Sequence, residues 1–139
     1  MPDLFGHKST SLLDLWTIVH FLTGCASPIA IAFLSRLSSY PRSHPVSTIL
    51  LISLTWEILE FYMETGAVGP SSVRVWFDGV EHFSNRIISD QVALLLGYFL
   101  CAKRHLWAII AKILATTWLA IHIFIFPHSM YLQEVWSQV

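Results

Sequence analysis

Four stretches of mainly apolar residues divide the chain, and each is close to the length of a membrane-spanning helix. Such a helix needs roughly 20 mostly apolar residues. The pattern predicts helices at about residues 11–34, 46–63, 86–102 and 105–126. Breaks rich in Ser, Arg, Gly and Pro follow the first helix, at 35–45, and the second, at 66–72. We therefore predict an all-α polytopic membrane protein, in which residues 1–139 form a single transmembrane domain with four transmembrane helices.

The segment between the second and third helices is too polar to cross a bilayer. Residues 66–86 place Trp76 and Phe77 beside Asp78. Aromatic rings next to a charge are typical of chain that lies at the level of the lipid headgroups. The pattern predicts an interfacial segment here, either an interfacial helix or a re-entrant approach to the membrane.

Composition agrees with a bilayer location. Of the 139 residues, 55% are hydrophobic and only 12% are charged, and the mean hydropathy is +0.61, which is more apolar than an ordinary soluble domain. The few basic residues are scattered, which argues against a nucleic-acid-binding surface. Cys25 and Cys101 lack metal or redox spacing and are predicted to be small core residues, while Gly24 and Gly97 are predicted to permit close helix contacts.

The second helix carries three acidic residues on one face. Glu57, Glu60 and Glu64 are spaced i, i+3 and i+7, which places them on one stripe of a helix. Ionisable groups inside a bilayer cost on the order of 2.5–3.5 kcal/mol each. Three like charges there require a neutralising cation, shared protons or a water-filled cavity.

The segment that follows supplies further charges. If residues 78–90 are helical, Asp78, His82, Arg86 and Asp90 follow an i, i+4 stripe. In that arrangement Arg86 can pair with Asp90 or with Asp78.

Polar residues from all four helices are predicted to lie at one depth. Short connections require successive helices to alternate in direction. His20 of the first helix and Glu57 of the second then lie at similar depths below the same membrane face. Asp90 is shallow in the third helix on that side, and His122 is near the corresponding end of the fourth. We therefore expect a carboxylate and histidine cluster near one face of the membrane.

This cluster has the composition of a divalent-metal site. His, Asp and Glu bind zinc, iron, manganese or magnesium, and helical bundles hold such metals with carboxylates from facing helices. The candidate metal ligands are His20, Glu57, Glu60, Asp78, His82 and Asp90. The candidate catalytic residues are Glu57, Glu60 and His82, with His82 or a Glu as general base.

The same residues also admit a structural interpretation. The polar groups deep in the helices can instead form a hydrogen-bond network that fixes helix packing. His122 is equally compatible with a packing contact and with a role in the site. Glu64, Glu81 and Arg74 are expected to be solvated charges at the interface.

Three short motifs carry a resemblance to a known family. They are the run His20-Phe-Leu-Thr-Gly24, the run Trp56-Glu57-Ile-Leu-Glu60, and the segment from Asp78-Gly79 through Asn85 to Asp90-Gln-Val-Ala-Leu-Leu-Leu-Gly97-Tyr98. Together, over about residues 16–100, they resemble the VanZ-like group and related small bacterial membrane proteins. His82 and the spacing from Asn85 to Asp90 depart from that pattern. The resemblance implies a helical membrane architecture with a polar site, and it implies no substrate.

Three kinds of function fit these features. An enzyme would use a metal held by the cluster to activate water or a headgroup oxygen of a membrane lipid or lipid-linked envelope intermediate. A non-catalytic accessory subunit or assembly factor would use the same groups to fix helix register or to contact other membrane-protein subunits. A proton or ion conduit would be lined by Glu57, Glu60 and Asp90.

Basic residues near the helix ends predict the orientation. One side of the membrane has Arg36, Arg42, Lys103, Arg104 and Lys112, and the other has Lys8, Arg74 and Arg86. Basic residues favour the cytoplasmic side. In a bacterial inner membrane, both termini and the 66–86 loop are therefore expected outside the cytoplasm.

Overall fold

The computed structural model describes residues 2–77 and 79–126. Two short strands come first, β1 (Asp3–Phe5) and β2 (Ser11–Leu13), and they pair in parallel. The helices are α1 (Leu15–Leu34), α2 (Tyr40–Ser43), α3 (Pro45–Glu64), α4 (Ser71–Phe77), α5 (Asp90–Cys101) and α6 (His105–Ala120). A π-helical turn, Asn85–Ser89, leads into α5, and a second, Ile121–Ile125, extends α6.

The mostly helical architecture of the prediction is confirmed. Within the part of the chain that the structure describes, three helices are long and apolar enough to cross a membrane: Leu15–Leu34, Pro45–Glu64 and His105–Ile125. The predicted third helix is helical over 83–101 but is slightly shorter than these three. The two strands correct the expectation of a purely α-helical chain.

The first helix begins later than its hydropathy predicts. We expected it from residue 11, but residues 11–13 form β2 and α1 begins at Leu15. Asp14 is the N-cap, because its carboxylate accepts a hydrogen bond from the Thr17 backbone N–H at 3.0 Å and its own N–H donates to Thr17 Oγ1 at 3.2 Å. This reciprocal capping box satisfies two backbone donors and fixes the start of the helix.

A proline lies inside α1 without leaving an unsatisfied carbonyl. Pro28 has no N–H, so it cannot donate to the Gly24 carbonyl one turn earlier. The Ser27 hydroxyl donates to that carbonyl instead, at 2.7 Å. The helix therefore continues through the proline to Leu34.

Helices α1 and α5 run in the same direction and touch through glycine. A Cβ added to Gly24 would lie 1.9 Å from the Leu94 carbonyl oxygen, and one added to Gly97 would lie 2.1 Å from the Phe21 carbonyl oxygen. Only glycine permits so close an approach of two backbones. The prediction of close contacts at these glycines is confirmed.

The two cysteines also lie where the sequence predicts. Cys25 and Cys101 are both free and buried, and they form a small apolar core with Ala111 of α6. This core joins α1, α5 and α6 in the half of the bundle farther from the acidic residues.

One end of the bundle carries most of the polar contacts. The start of α1, the end of α3, the start of α5 and the end of α6 meet there, as the ring contact between Trp16 and His122 at 5.1 Å illustrates. The N-terminal segment lies across this end, since the Lys8 carbonyl accepts a hydrogen bond from the His82 N–H at 2.9 Å.

The predicted i, i+4 stripe between residues 78 and 90 is wrong for its first half. Residues 79–82 are not helical, and Gly79 has a φ of +101°, which a right-handed helix does not contain. Helical structure resumes only just before Asn85. His82 and Arg86 therefore do not continue one helical face.

Candidate metal centre

Three polar side chains from three helices meet near the polar end of the bundle. His20 of α1, Glu57 of α3 and Asp90 at the start of α5 each offer one ligand atom, and these atoms lie within 4.8 Å of one another. The His20 Nε2 atom lies 3.5 Å from Glu57 Oε1 and 3.5 Å from Asp90 Oδ2. The predicted carboxylate and histidine cluster is thus present, and we call these three residues the triad.

Glu57 carries one of the two buried carboxylates of the triad that lack hydrogen-bond donors among the described residues. Its side chain is 1% exposed, and neither carboxylate oxygen has a hydrogen-bond donor among the described residues. The Arg86 Nε atom is 4.0 Å from Glu57 Oε2, beyond hydrogen-bonding distance. Asp90 is equally buried, and neither of its carboxylate oxygens has a hydrogen-bond partner among the described residues. A buried carboxylate without donors is costly unless a cation or a proton neutralises it.

Two of the three distances within the triad equal the ligand–ligand distances of a four-coordinate metal ion. The 3.5 Å separations are longer than the roughly 2.7–2.9 Å of a charged hydrogen bond. Tetrahedral zinc, with metal–ligand distances of about 2.0–2.2 Å, places its ligand atoms about 3.3–3.6 Å apart. Three protein ligands would leave a fourth position for water or substrate, as catalytic zinc sites do.

A second acidic group lies beside the triad and already contains two cations. Glu60, Glu64 and Glu81 each place one oxygen within 4.8 Å of the others. The Lys8 Nζ atom lies 2.5 Å from Glu64 Oε1. Arg86 Nη2 lies 2.5 Å from Glu64 Oε2 and 3.2 Å from Glu81 Oε2. We call these five residues the ion-pair network, and its internal cations make it a poor metal site.

The ion-pair network corrects two expectations. Glu64 and Glu81 are not solvated interfacial charges, since they are 1% and 8% exposed. Arg86 does not form the ion pair with Asp90 that the i, i+4 spacing predicts. It binds Glu64 and Glu81, and its Nη1 donates to the Glu57 carbonyl at 2.8 Å. The reason is that the N-terminal segment and residues 79–82 fold over the end of α3 and exclude water from it.

Burial changes the protonation of the acids outside the membrane-spanning helices. Burial, followed by the nearby Asp90 carboxylate, raises the pKa of Glu81 to about 10, although Arg86 lowers it. Burial also raises the pKa of Asp14, against the opposing effect of its hydrogen bonds to Thr17. Glu81 therefore favours its neutral form, with one oxygen still able to accept from Arg86.

The remaining candidate ligands lie elsewhere. Glu60 belongs to the ion-pair network. His82 belongs to neither acidic group of the described chain, and its Nδ1 accepts a hydrogen bond from the Ser84 N–H at 3.3 Å. Asp78 lies outside the described residues, so its candidate role stays a prediction. Arg74 is exposed, as expected.

His122 lies between two aromatic rings. Its ring centroid is 5.1 Å from that of Trp16 and 4.7 Å from that of Trp76, and the residue is fully buried. Of the two roles left open by the sequence, this position matches helix packing. The contact joins the end of α6 to the start of α1 and to α4.

Two local features position the triad. The π-helical turn at Asn85–Ser89 closes with a hydrogen bond from the Asp90 N–H to the Asn85 carbonyl, and such turns shift the side chains that follow them, often at functional sites. The glycine crossing between α1 and α5 then holds Asp90 close enough to reach His20. Both features act on Asp90. The position of its side chain therefore depends on the packing of α5 against α1 as well as on the π-helical turn.

Lys8 is the polar residue whose place the sequence does not indicate. It is the one Lys or Arg in residues 1–14, yet it is 1% exposed and pairs with a residue 56 positions away. Periodicity does not predict such a contact, because the segment around Lys8 is not helical. The signal in the sequence that could indicate this contact is a single basic residue, Lys8, in a segment that precedes a helix with an acidic end.

Comparison with known proteins yields no relative. No family model, no curated protein and no solved structure matches this chain. The geometry of the triad and of the ion-pair network is therefore the evidence on which a function can be proposed.

Proposed function

We propose that this chain is a membrane-embedded metalloenzyme in which His20, Glu57 and Asp90 hold a divalent cation. The observation that carries the proposal is the buried Glu57 carboxylate, which faces a histidine and a second carboxylate and has no donor among the described residues. A divalent cation would neutralise Glu57 and Asp90 together. A cation at that position would supply Lewis acidity toward a water or a headgroup oxygen.

The two nearby basic residues support this assignment, because neither of them neutralises the Glu57 carboxylate. Lys8 and Arg86 are already engaged with Glu64 and Glu81. Neither cation lies within hydrogen-bonding distance of the Glu57 carboxylate. The ion-pair network thus holds the helix ends together, while the triad keeps its ligand atoms available.

The proposed substrate class is a membrane lipid or a lipid-linked envelope intermediate. The His20 side chain is 13% exposed, and it lies five residues, or about 8 Å, inside the start of α1. That depth is just below the interface, where a lipid presents its headgroup linkage. The triad would therefore meet the polar part of a lipid from within the bilayer.

We extend the proposal to the number of membrane spans and their orientation. Residues 83–101 would form a fourth span of about 28 Å, packed along α1 through Gly24 and Gly97. The loop that contains α4 would lie at the interface, outside the cytoplasm of a bacterial inner membrane. Membership of the VanZ-like group belongs to this proposal as well, on the motifs that surround His20, Glu57 and Asp90.

Elemental analysis of the detergent-purified protein tests the proposal. The wild-type protein should retain about one divalent metal ion per chain after gentle purification. His20→Gln and Glu57→Gln should each reduce this content at least about tenfold, because each removes one of three ligands. The metal should also return on reconstitution of the wild-type protein with zinc.

Matched controls separate the site from general metal adhesion. His105→Gln and Asp3→Asn change an exposed histidine and an exposed aspartate, and both variants should keep the wild-type metal content. A wild-type protein that is monodisperse and folded yet holds no metal, even after zinc is supplied, would overturn the metalloenzyme proposal.

A non-catalytic accessory role is the second candidate, and the ion-pair network favours it. Buried ion pairs can serve to fix helix register, and Arg86 links α3, the 79–82 segment and α5. Gentle extraction from native membranes followed by size analysis distinguishes the two roles. A larger assembly that is lost in an Arg86→Met variant would favour the accessory role.

A further inference from the structure

A long cavity lies between α1 and α3, with Leu94 of α5 and Lys112 and Leu119 of α6 also on its wall, and it reaches His20 of the triad. Its volume is about 780 Å³, within the roughly 300–1,000 Å³ range of small-molecule sites. Apolar side chains make up most of its wall, and His20 lies on it near one end. The cavity is thus a lateral, apolar approach to a polar centre.

The dimensions of the cavity favour one long chain. The cavity follows α1 from Trp16 to Leu34, and the part beyond His20 is about 21 Å long. One leaflet of the hydrocarbon core is only about 15 Å thick.

Ser53 places an unpartnered hydroxyl on this cavity. Other hydroxyls of α3 donate to the carbonyl one turn earlier, as Thr48 does to His44 at 2.9 Å and Thr55 does to Leu51 at 2.7 Å. Ser53 is 8% exposed, and its Oγ has no hydrogen-bond partner among the described residues. It lies one turn from Glu57 and lines the cavity.

Trp16 adds a second donor at the same end. Its Nε1 is buried without an acceptor in residues 2–77 and 79–126, and its ring lines the cavity. Buried donors of this kind cost free energy unless a ligand or water accepts from them. Trp16 and Ser53 flank His20, so the end of the cavity at the triad is prepared for oxygen acceptors.

We propose that this cavity binds a single-chain polyisoprenyl phosphate lipid, with its chain along α1 toward Leu34 and its phosphate oxygens at Trp16, His20 and Ser53. The length of the cavity beyond His20 exceeds one leaflet, which favours a long single chain over a two-chain phospholipid. This inference rests on the proposed function for the role of the metal, and it names the substrate class of that site.

Binding of a fluorescent polyisoprenyl phosphate to the full-length protein in nanodiscs tests the inference. Unlabelled polyisoprenyl phosphate should compete, whereas phosphatidylglycerol and inorganic phosphate should compete at least about tenfold less well. Ala30→Trp puts a ring into the middle of the cavity from an exposed position and should weaken binding at least about tenfold. Ser53→Ala should weaken it about two- to tenfold, through loss of one hydrogen bond.

Leu51→Trp is the matched control, because it adds the same ring to a position on α3 that is 67% exposed and does not line the cavity. It should bind the lipid as the wild-type protein does. Metal content is measured on every variant, and Ala30→Trp should keep it. Lipid binding by a wild-type protein that holds no metal even after zinc is supplied would leave this inference standing and overturn the proposed function.

Three results would overturn the inference itself. The first is a metal-loaded protein that does not bind the polyisoprenyl phosphate. The second is equal competition by phosphatidylglycerol, which would assign the cavity to bulk phospholipid. The third is unchanged binding in both Ala30→Trp and Ser53→Ala, which would place the lipid elsewhere on the protein.

Discussion

Lys8 and Glu64 form a buried ion pair, with 2.5 Å between Nζ and Oε1, although 56 residues separate them in the chain. The pair fastens the N-terminal segment to the end of α3. Glu64 also binds Arg86 on its other oxygen, so one carboxylate holds two cations. The polar end of the bundle is therefore closed by charge pairing.

Lys8→Met is expected to destabilise the protein by about 3 kcal/mol, because breaking a buried ion pair leaves the partner charge uncompensated. Unfolding by SDS in mixed micelles measures the change. The double variant with Glu64→Gln should recover part of the loss, since a neutral amide still accepts from Arg86. Lys103→Met, at an exposed position, should change the free energy of unfolding by less than about 0.5 kcal/mol. Equal effects of Lys8→Met and Lys103→Met would contradict the buried pair.

Gly97→Ala is expected to force α5 away from α1, because the new Cβ would lie 2.1 Å from the Phe21 carbonyl oxygen. The cost should be about 1–3 kcal/mol, as for other overpacked sites. Metal affinity should fall in the same variant, since His20 and Asp90 lie on the two separated helices. Ala120→Val, which adds atoms at an exposed position of α6, should leave both measurements unchanged. Wild-type stability in Gly97→Ala would rule out this helix crossing.

Stability is expected to fall as the pH rises above about 5, because Glu81 has a raised pKa. The folded state binds the Glu81 proton more tightly than the unfolded state, so this contribution is complete below the ordinary value of 4.5 and is lost as the pH approaches about 10. Thermal unfolding in detergent from pH 5 to 9 measures the slope. Glu81→Gln, which is neutral at every pH, should flatten it.

Asp14 provides the comparison for that pH experiment. Its pKa is also raised by burial, so it contributes stability with the same sign, starting from its ordinary value of 3.8. Asp14→Asn keeps an N-cap acceptor and should leave the slope above pH 7 close to wild type if Glu81 dominates there. A slope that survives Glu81→Gln and disappears in Asp14→Asn would assign the effect to the helix cap instead.

Hydropathy and helix direction account for much of what could be predicted. The long apolar runs determine α1, α3 and α6, because only a helix satisfies its backbone within a bilayer. Alternating direction then places His20, Glu57 and Asp90 at one depth. Helical periodicity correctly assigns Glu57 and Glu60 to buried positions on α3.

The ion-pair network could not be predicted in the same way. It depends on irregular chain, namely the N-terminal segment that carries Lys8 and residues 79–82 before Glu81, for which no periodicity applies. From the sequence, Glu64 and Glu81 are expected to be interfacial charges. They are buried in the structure because these segments cover them. Gly79 was the local signal against a continuous helix, because glycine commonly takes the positive φ observed there.

The geometry of the triad predicts which metal it prefers. The two distances of 3.5 Å from His20 Nε2 to the carboxylates match two edges of a tetrahedral site, about 3.3–3.6 Å for zinc. Octahedral magnesium, with metal–ligand distances of about 2.0–2.1 Å, requires adjacent ligand atoms about 2.8–3.0 Å apart and avoids histidine. Zinc should therefore displace magnesium from the wild-type protein, with at least about a hundredfold tighter binding in a competition followed by elemental analysis. Cobalt substitution should give the absorption of a four-coordinate ion, and Asp90→Asn should weaken it. A six-coordinate cobalt spectrum, or tighter binding of magnesium than of zinc, would contradict the tetrahedral assignment, because the three ligands would then have to move closer together than the helix packing holds them.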